Sequence, residues 1–436
     1  MFIKRLFIVL LSLFVAFAAV VSVQPPAYAN TTIAVSNVRD VTMQPGTDEF
    51  SRNFAWYATS SEPGQIQLAK ASEVIRGRFP SDKTKTFTAA EAGKPTFAQG
   101  YTAHHVGITG LEPNTEYVYR AGNRNGWSEV YGFKTGGGDT FSFLFAGDPQ
   151  IYNHTASTTA WQNNINGAVK RWPEAAFIIS GGDQIDGSGS DTSGSESHYS
   201  RLLSPEALRS IAFAPTLGNH DRAVNFTRRF NMPNLDWKNG LSQDGTLAGN
   251  YYYTYGHVLF IHLNSNNVTA AQHRAFMQSA IGGTPDAAWR IVVMHHAAYG
   301  VGAYANDASR RRPFFPLMDE FKIDVVLNGH DHIYSRSHHM LGNAAQLNQA
   351  RNEKGQTVNP KGTVYITGNS ASGSKFYASR GAFSMYNAFQ HQSNTPNISK
   401  IDMTPDSFTI NTYRSANRAA DGEFILMDTY SIIKKP

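Results

Sequence analysis

The fold of this chain is decided by the segment Thr140-Phe-Ser-Phe-Leu-Phe-Ala-Gly-Asp-Pro-Gln150, in which an apolar run ends at Gly147-Asp148-Pro149-Gln150. A short apolar run that ends at turn residues is typical of a strand buried on both faces. In open α/β sheets the ligand crevice lies beyond the carboxyl ends of such strands. The segment therefore predicts a buried sheet whose functional edge begins near Asp148.

Four further apolar runs have the same character: Ala176-Phe-Ile-Ile-Ser180, Val258-Leu-Phe-Ile261, Arg290-Ile-Val-Val-Met294 and Val325-Val-Leu327. Helix-like stretches lie between several of them, at residues 160–171, 205–211, 270–281 and 314–321. Buried strands that alternate with helices indicate an α/β core. The tail returns to hairpins, one across Pro405-Asp406 and one across Asp421-Gly422.

The hundred residues before the first buried strand have a different pattern. From Thr32 to about Thr135 short runs alternate apolar with polar residues, and turn signals such as Glu112-Pro-Asn114 separate them. This pattern predicts a β-sandwich, and Gly136-Gly-Gly138 marks a linker after it.

Composition and the N-terminus restrict the class of protein. The chain has 436 residues and no cysteine, which excludes disulfide scaffolds, thiolate metal sites and cysteine nucleophiles. Lys4 and Arg5 precede an apolar run and Ala27-Tyr28-Ala29, a pattern that favours a signal peptide at residues 1–29 over an uncleaved anchor. Cleavage lowers the formal charge from +5 to +3, too mild a charge to predict nucleic-acid binding. We expect a secreted or cell-envelope protein without a membrane segment after cleavage.

Candidate metal ligands follow the apolar strands and the Gly-containing turns. In chain order, the candidates after these segments are Asp148 and Gln150, Asp183, Asn219 and His220, His295, and finally His330 and His332. Oxygen and imidazole donors without thiolate suit a pair of Fe, Mn or Zn ions. Each residue alone has an ordinary structural interpretation, such as a turn aspartate or a packed histidine. Their joint occurrence at strand ends favours a metal site.

Together, the five segments resemble the motif set of the calcineurin-like metallophosphoesterase superfamily. Gly218-Asn-His-Asp221 and Gly329-His-Asp-His332 are specific in combination, and Tyr334-Ser-Arg336 is also typical. Leu111-Glu-Pro-Asn-Thr-Glu-Tyr-Val-Tyr-Arg120 resembles the corner of a fibronectin type III domain, with Tyr117 as the corner tyrosine. The whole chain is thus similar to bacterial relatives of purple acid phosphatases. The resemblance implies a fibronectin-like sandwich at residues 30–136 and a four-layer α/β/β/α catalytic domain at residues 139–436.

The resemblance also implies a role for each residue. Asp183 bridges two divalent or trivalent metal ions, Asp148 and His332 bind the first ion, and Asn219, His295 and His330 bind the second. His220 and Asp183 are then the catalytic residues, and His220 stabilises developing charge or protonates the leaving oxygen. Two cations roughly 3.5–4 Å apart can activate a bridging hydroxide for in-line attack. The expected activity is hydrolysis of phosphate monoesters.

Two departures from the family pattern stand out. Asp186 occupies the position at which purple acid phosphatases carry their iron-binding tyrosine, so we expect a colourless enzyme. Gln150 stands where the purple enzymes have Gly, and it either offers its amide oxygen to the first metal or bonds to a metal-bound water. Two alternatives stay open. A phosphodiesterase or nuclease is one, because the same metal pair serves mono- and diesters; a non-catalytic surface-binding protein is the other, and the two departures give it weight. The sequence does not indicate the oligomeric state.

Overall fold

A computed structural model describes residues 37–75, 79–80, 82–187, 192–241, 249–302, 307–380 and 385–435 of the chain. The predicted signal peptide, residues 1–29, lies outside the described residues. Among the helices in these ranges, none combines the length and the apolar character that crossing a bilayer requires.

The N-terminal part is a sandwich of two small antiparallel sheets. Its strands are β1 (Val38–Pro45), β2 (Arg52–Ala58), β3 (Gln65–Lys70), β4 (Lys85–Thr88), β5 (Lys94–Pro95), β6 (Thr102–Ile108), β7 (Glu116–Asn123), β8 (Gly126–Trp127) and β9 (Tyr131–Lys134). One sheet has the order β1-β2-β6-β5, and the other has the order β4-β3-β7-β8 with β9 paired to β7. The Tyr117 hydroxyl accepts a hydrogen bond from the Glu112 amide at 2.9 Å, the local contact expected of a corner tyrosine.

The remaining strands form two larger sheets. They are β10 (Phe141–Ala146), β11 (Ala175–Ser180), β12 (Ala212–Pro215), β13 (Tyr251–Tyr255), β14 (Val258–Leu263), β15 (Trp289–Met294), β16 (Val325–Asn328), β17 (Tyr334–Leu341), β18 (Ala344–Ala345), β19 (Thr357–Val358), β20 (Thr363–Thr367), β21 (Asn387–His391), β22 (Asn397–Thr404), β23 (Ser407–Ser415) and β24 (Phe424–Ile433). The first sheet has the order β12-β11-β10-β22-β23-β24-β19. The second has the order β13-β14-β15-β16-β20-β17-β18, with β21 paired to β17.

Helices cover the outer faces of these sheets and complete the α/β/β/α architecture. They are α1 (Thr155–Arg171), α2 (Thr192–Leu202), α3 (Ala223–Arg229), α4 (Ala270–Gly282), α5 (Ala308–Arg311) and α6 (Phe315–Glu320). Between the sheets, the rings of Phe143 and Phe177 each lie 5.3 Å from Phe260 in edge-to-face contact. On the far side of the second sheet, Phe276 of α4 and Leu317 of α6 belong to a separate apolar cluster.

The strand directions place the predicted motifs at one edge. Strands β10, β11 and β12 are parallel to one another, as are β14, β15, β16 and β20. Candidate site residues follow the carboxyl ends of β10, β11, β12, β15 and β16. Both sheets therefore contribute turns to a common crevice, as the sequence predicts.

Two local interpretations of the sequence are wrong. The Gly- and Ser-rich composition of residues 187–195 favours a loop, but α2 begins at Thr192, and residues 188–191 lie outside the described ranges. His338 and His339 follow the last motif, where the sequence favours a solvated loop, yet both lie on β17. His339 is buried, and both of its ring nitrogens have hydrogen-bond partners there. Nε2 bonds to the Tyr430 hydroxyl at 2.6 Å, and Nδ1 donates to the Gly362 carbonyl at 3.0 Å.

A buried cation joins the sandwich to the α/β part of the chain. The Arg229 guanidinium, 1% exposed, pairs with Asp40 of β1 and with Glu196 of α2. It also stacks over the Tyr57 ring at 3.7 Å from the ring centroid. Because α3 carries Arg229 and follows the Asn219-His220 turn, the sandwich supports the segment that presents those two residues.

Removing this cation should destabilise the protein strongly. Arg229→Met preserves the apolar stem but leaves Asp40 and Glu196 without their buried partner, so we expect a loss of about 3–5 kcal/mol of unfolding free energy. The measurement is urea denaturation followed by tryptophan fluorescence. Arg418→Met is the matched control, because Arg418 pairs with Asp421 and Glu423 at the exposed surface. Equal urea midpoints for Arg229→Met and Arg418→Met would contradict the stabilising role of the Arg229 ion pairs.

Candidate metal centre

The turns that carry the candidate ligands have strained backbones. Gln150, Asp183, His330 and His332 have φ angles of 41°, 44°, 73° and 49°. The left-handed region costs a non-glycine residue on the order of 1–3 kcal/mol, and such residues persist where the surrounding structure imposes the conformation. Their concentration at one sheet edge indicates that the fold holds these side chains in fixed directions.

Glycine is required where the turns approach each other. A Cβ on Gly218 would lie 2.1 Å from the Asp183 amide nitrogen. A Cβ on Gly182 would lie 2.3 Å from His295 Nδ1, and φ at this position is 113°. Neither gap admits a side chain, so the glycines of the two motifs let the ligand-bearing turns pack directly against each other.

Three candidate ligand atoms lie around one ring nitrogen, His295 Nε2. This nitrogen lies 2.9 Å from Asn219 Oδ1, 3.3 Å from Asp183 Oδ2 and 3.1 Å from His330 Nδ1. The nearest ligand atoms of Asp183, His295 and His330 all lie within 4.8 Å of one another. The other nitrogen of His295, Nδ1, lies 3.1 Å from the Gly181 carbonyl, which can only accept a hydrogen bond. Nδ1 is therefore a donor, and Nε2 is the ring nitrogen that could bind a metal in exchange for its proton.

The remaining candidates lie beside this group. Both carboxylate oxygens of Asp148 accept from the His330 amide, at 3.0 and 2.8 Å, and Asp148 Oδ1 lies 3.3 Å from His295 Nδ1. His332 donates from Nδ1 to the Lys375 carbonyl at 2.8 Å, which leaves Nε2 as its ligand atom. Gln150 is buried, and its amide oxygen Oε1 finds no hydrogen-bond partner within the part of the chain that the structure describes.

The electrostatics of the site call for added positive charge. Asp148 and Asp183 are 0% and 1% exposed. Burial would raise the pKa of Asp183, but His295 and His220 hold that pKa below its ordinary value. Burial would lower the pKa of His295, but the carboxylates of Asp183 and Asp148 raise it to about 9. Two buried carboxylates thus depend on neighbouring cationic charge, which bound metal ions would supply.

These residues fit a metal pair. The donor set consists of carboxylate, amide and imidazole groups, the chemistry of borderline and hard first-row metals. The orphaned oxygen of Gln150, an acceptor buried without a donor, is what a cation would satisfy. A single histidine at each strand end has an ordinary structural explanation, but convergence of four donor groups within a few ångström does not.

His220 lies next to the cluster and is held from two sides. Its amide donates to Asp183 Oδ1 at 2.8 Å, and its Nδ1 lies 2.9 Å from Asp186 Oδ1. The hydrogen bond to Asp186 raises the pKa of His220, and the same bond lowers the pKa of Asp186. Asp186 also accepts from Gln150 Nε2 at 3.3 Å. Asp186 therefore fixes the ring of His220 and favours its protonated form.

A further layer of buried side chains holds the turns. Asp221 accepts from the Gly218 amide at 2.9 Å and from the Tyr199 hydroxyl at 3.0 Å, which fixes the turn before α3. Asn328 donates through Nδ2 to the Met294 carbonyl at 2.8 Å and to the His296 carbonyl at 3.1 Å. The turns after β15 and β16 are therefore tied together.

The structure brings all the predicted site residues to this one sheet edge, although their roles as ligands stay predictions. Sequence reasoning missed Lys375, whose carbonyl orients His332 and whose ammonium lies 3.2 and 3.3 Å from the Asp186 oxygens. One signal was available: Lys375 comes two residues after Gly368-Asn-Ser-Ala-Ser-Gly373, a Gly-rich segment that follows β20.

Comparison with known families agrees with this geometry. Residues 141–334 match the calcineurin-like phosphoesterase family, and residues 38–135 match the purple acid phosphatase N-terminal domain. Purple acid phosphatase 23 of Arabidopsis thaliana is 25% identical over 362 residues, which is 72% of this chain and 69% of the relative. Human acid phosphatase type 7 is 25% identical over 295 residues, which is 62% of this chain and 64% of the relative.

Solved structures show the same fold. The purple acid phosphatase PPD1 from yellow lupin (Lupinus luteus) seeds superimposes with a TM-score of 0.71 at 15% identity, covering 92% of this chain and 75% of the lupin chain. The structure of PhoD gives a TM-score of 0.60 at 12% identity and covers 92% of each chain. Identities this low carry the fold alone.

Proposed function

Since this chain belongs to the calcineurin-like phosphoesterases and carries the N-terminal domain of purple acid phosphatases, we propose that it hydrolyses phosphate monoesters with two metal ions. The observation that carries the proposal is the convergence of Asn219, Asp183 and His330 on His295 Nε2. With the signal sequence predicted at residues 1–29, we also propose that the enzyme is secreted.

In the proposed site Asp183 lies between two metal positions. Asn219, His295 and His330 would hold one ion, and Asp148 and His332 would hold the other, with Gln150 Oε1 as an added ligand. Asp183 is the shared ligand in this assignment because it lies beside both groups of residues. Its Oδ2 lies 3.3 Å from His295 Nε2, and its main-chain carbonyl accepts a hydrogen bond from the Gln150 amide at 2.7 Å. When bound, the metal pair supplies Lewis acidity toward water and phosphate oxygens.

The side chains of this chain provide the remaining chemistry. His220, held by Asp186, would lie next to the metal ions; the hydrogen bond to Asp186 raises its pKa and so favours the protonated imidazole that a general acid needs to give a proton to a leaving oxygen. Asp186 offers no phenolate to a metal, so the expectation of a colourless enzyme is retained.

Metal removal and return test the proposal. We expect chelation to abolish hydrolysis of p-nitrophenyl phosphate, and Zn, Mn or Fe to restore it. Bis(p-nitrophenyl) phosphate, assayed in parallel, should be turned over more slowly. A faster diester reaction would replace the proposal with a phosphodiesterase. Metal uptake without turnover of either ester would overturn the enzymatic assignment, and chain without bound metal would overturn the metal site.

A further inference from the structure

The Gly-rich segment after β20 packs beneath the candidate site. The Ser370 hydroxyl and the Ala371 amide both donate to the Asp148 carbonyl, each at 3.1 Å. Five residues further from Ser370 along the chain, the Lys375 carbonyl accepts from His332 Nδ1 at 2.8 Å. The segment from Ser370 to Lys375 therefore contacts both residues proposed to bind the first metal: Ser370 and Ala371 bond to Asp148, and Lys375 bonds to His332.

The side chain of Lys375 points toward Asp186 and His220, and these three residues form a row of charged or titratable groups at the mouth of the site. Its ammonium lies 3.2 and 3.3 Å from the two oxygens of Asp186, and Asp186 Oδ1 lies 2.9 Å from His220 Nδ1. The side chains of Lys375, Asp186 and His220 are 35%, 23% and 31% exposed, whereas those of the proposed metal ligands Asp148 and His295 are fully buried. The row marks the boundary between the buried centre and solvent, where a substrate enters.

We propose that Lys375 is a specificity-determining residue that binds a non-bridging oxygen of a phosphate monoester, with Asp186 holding its ammonium beside His220. The inference rests on the proposed function and deepens it by assigning the group that selects monoesters. A phosphate monoester is largely dianionic near neutral pH because its second pKa is about 6. A diester carries one charge fewer and has an ester group where the monoester has an anionic oxygen.

The chemistry of the ammonium suits this role. A lysine ammonium has three donors. Asp186 engages it from one side, so a proton remains for a phosphate oxygen. The ammonium of Lys375 balances the charge of the Asp186 carboxylate, so Asp186 does not present an unpaired negative charge to an approaching anion.

Two neighbouring arginines are positioned by main-chain carbonyls. Arg222 donates through Nη2 to the Gly187 carbonyl at 2.9 Å. Arg310 donates through Nη1 to the Ser265 carbonyl at 3.0 Å and to the Asn266 carbonyl at 3.4 Å. Both guanidinium groups are tied to the main chain, whereas Lys375 reaches the row through a flexible stem.

The test compares Lys375→Ala with Lys375→Arg and with Lys354→Ala, a matched change at an exposed lysine. Each metal-loaded variant is assayed with p-nitrophenyl phosphate and bis(p-nitrophenyl) phosphate, and the affinity for inorganic phosphate is measured by calorimetry. We expect Lys375→Ala to lower kcat/KM for the monoester by about 10- to 100-fold and to weaken phosphate binding at least tenfold, the size of a lost charge-assisted hydrogen bond. The diester should change less than threefold, and Lys375→Arg should recover part of the loss.

Equal losses for both esters, or unchanged phosphate affinity, overturn the role of Lys375. Metal content of each variant, measured by elemental analysis, should equal that of the native chain, because His332 bonds to the main-chain carbonyl and not to the ammonium. If Lys375→Ala does not fold, Lys375→Met keeps the apolar stem and takes its place. A native chain that hydrolyses neither ester sinks the proposed function, while the phosphate-binding comparison still decides the role of Lys375.

Discussion

Replacing Asp183 with Asn should remove bound metal and lower hydrolysis of p-nitrophenyl phosphate by roughly 10³-fold or more. The amide keeps the shape of the side chain but lacks the charge that Asp183, 1% exposed, brings to the centre of the ligand group. Metal ions supply several kcal/mol of transition-state stabilisation, and each 1.4 kcal/mol is about a tenfold change in rate. Elemental analysis and steady-state kinetics on the same preparation measure both effects.

The size of the effect follows from the shared position of Asp183. Replacing a ligand to one ion only should release one metal ion from the protein, whereas replacing a bridging carboxylate should release both. Asp286→Asn, at an exposed position outside the site, is the control and should leave metal content and rate unchanged. Full retention of two metals by Asp183→Asn would falsify the bridging assignment.

Replacing His220 with Asn should lower kcat by about 10²–10⁴-fold, the usual contribution of a general acid, while both metals stay bound. The metals should stay because His220 contacts the proposed ligand Asp183 through its main-chain amide, at 2.8 Å, and that contact survives the substitution. The measurement is kcat for a series of phosphate monoesters, together with metal content.

The leaving-group series separates two roles for His220. If His220 protonates the leaving oxygen, the loss should be greatest for alkyl phosphates and smallest for p-nitrophenyl phosphate, whose leaving group needs little protonation. An equal loss across the series would assign His220 to charge stabilisation on phosphate instead. A loss of metal in His220→Asn would contradict both roles and make His220 a ligand.

Much of the site could be predicted because strand ends are visible in the sequence. Apolar runs that end at Gly147-Asp148 or Met294-His295 show both the strand and the residue just beyond it. Parallel strands then bring such residues to one edge, as β10–β12 and β14–β16 do. Residue type and position within the chain predicted a shared edge, whereas the grouping of Asn219, Asp183 and His330 with His295 came from the family resemblance.

Other features depend on contacts that no local pattern records. Lys375 reaches Asp186 across 189 positions of the chain, and Arg229 reaches Asp40 across the same number. His339 is buried through a bond to Tyr430, which lies 91 residues away. The start of α2 was missed because its Ser- and Gly-containing sequence is typical of a loop, and tertiary packing overrides that weak preference.

The most direct test of the metal centre is anomalous diffraction from crystals grown with Zn or Mn. We predict two peaks, one among Asn219, His295 and His330 and the other beside Asp148 and His332, with the Asp183 carboxylate between them. Peaks at any other place, or no peak in this crevice at saturating metal, would contradict the account.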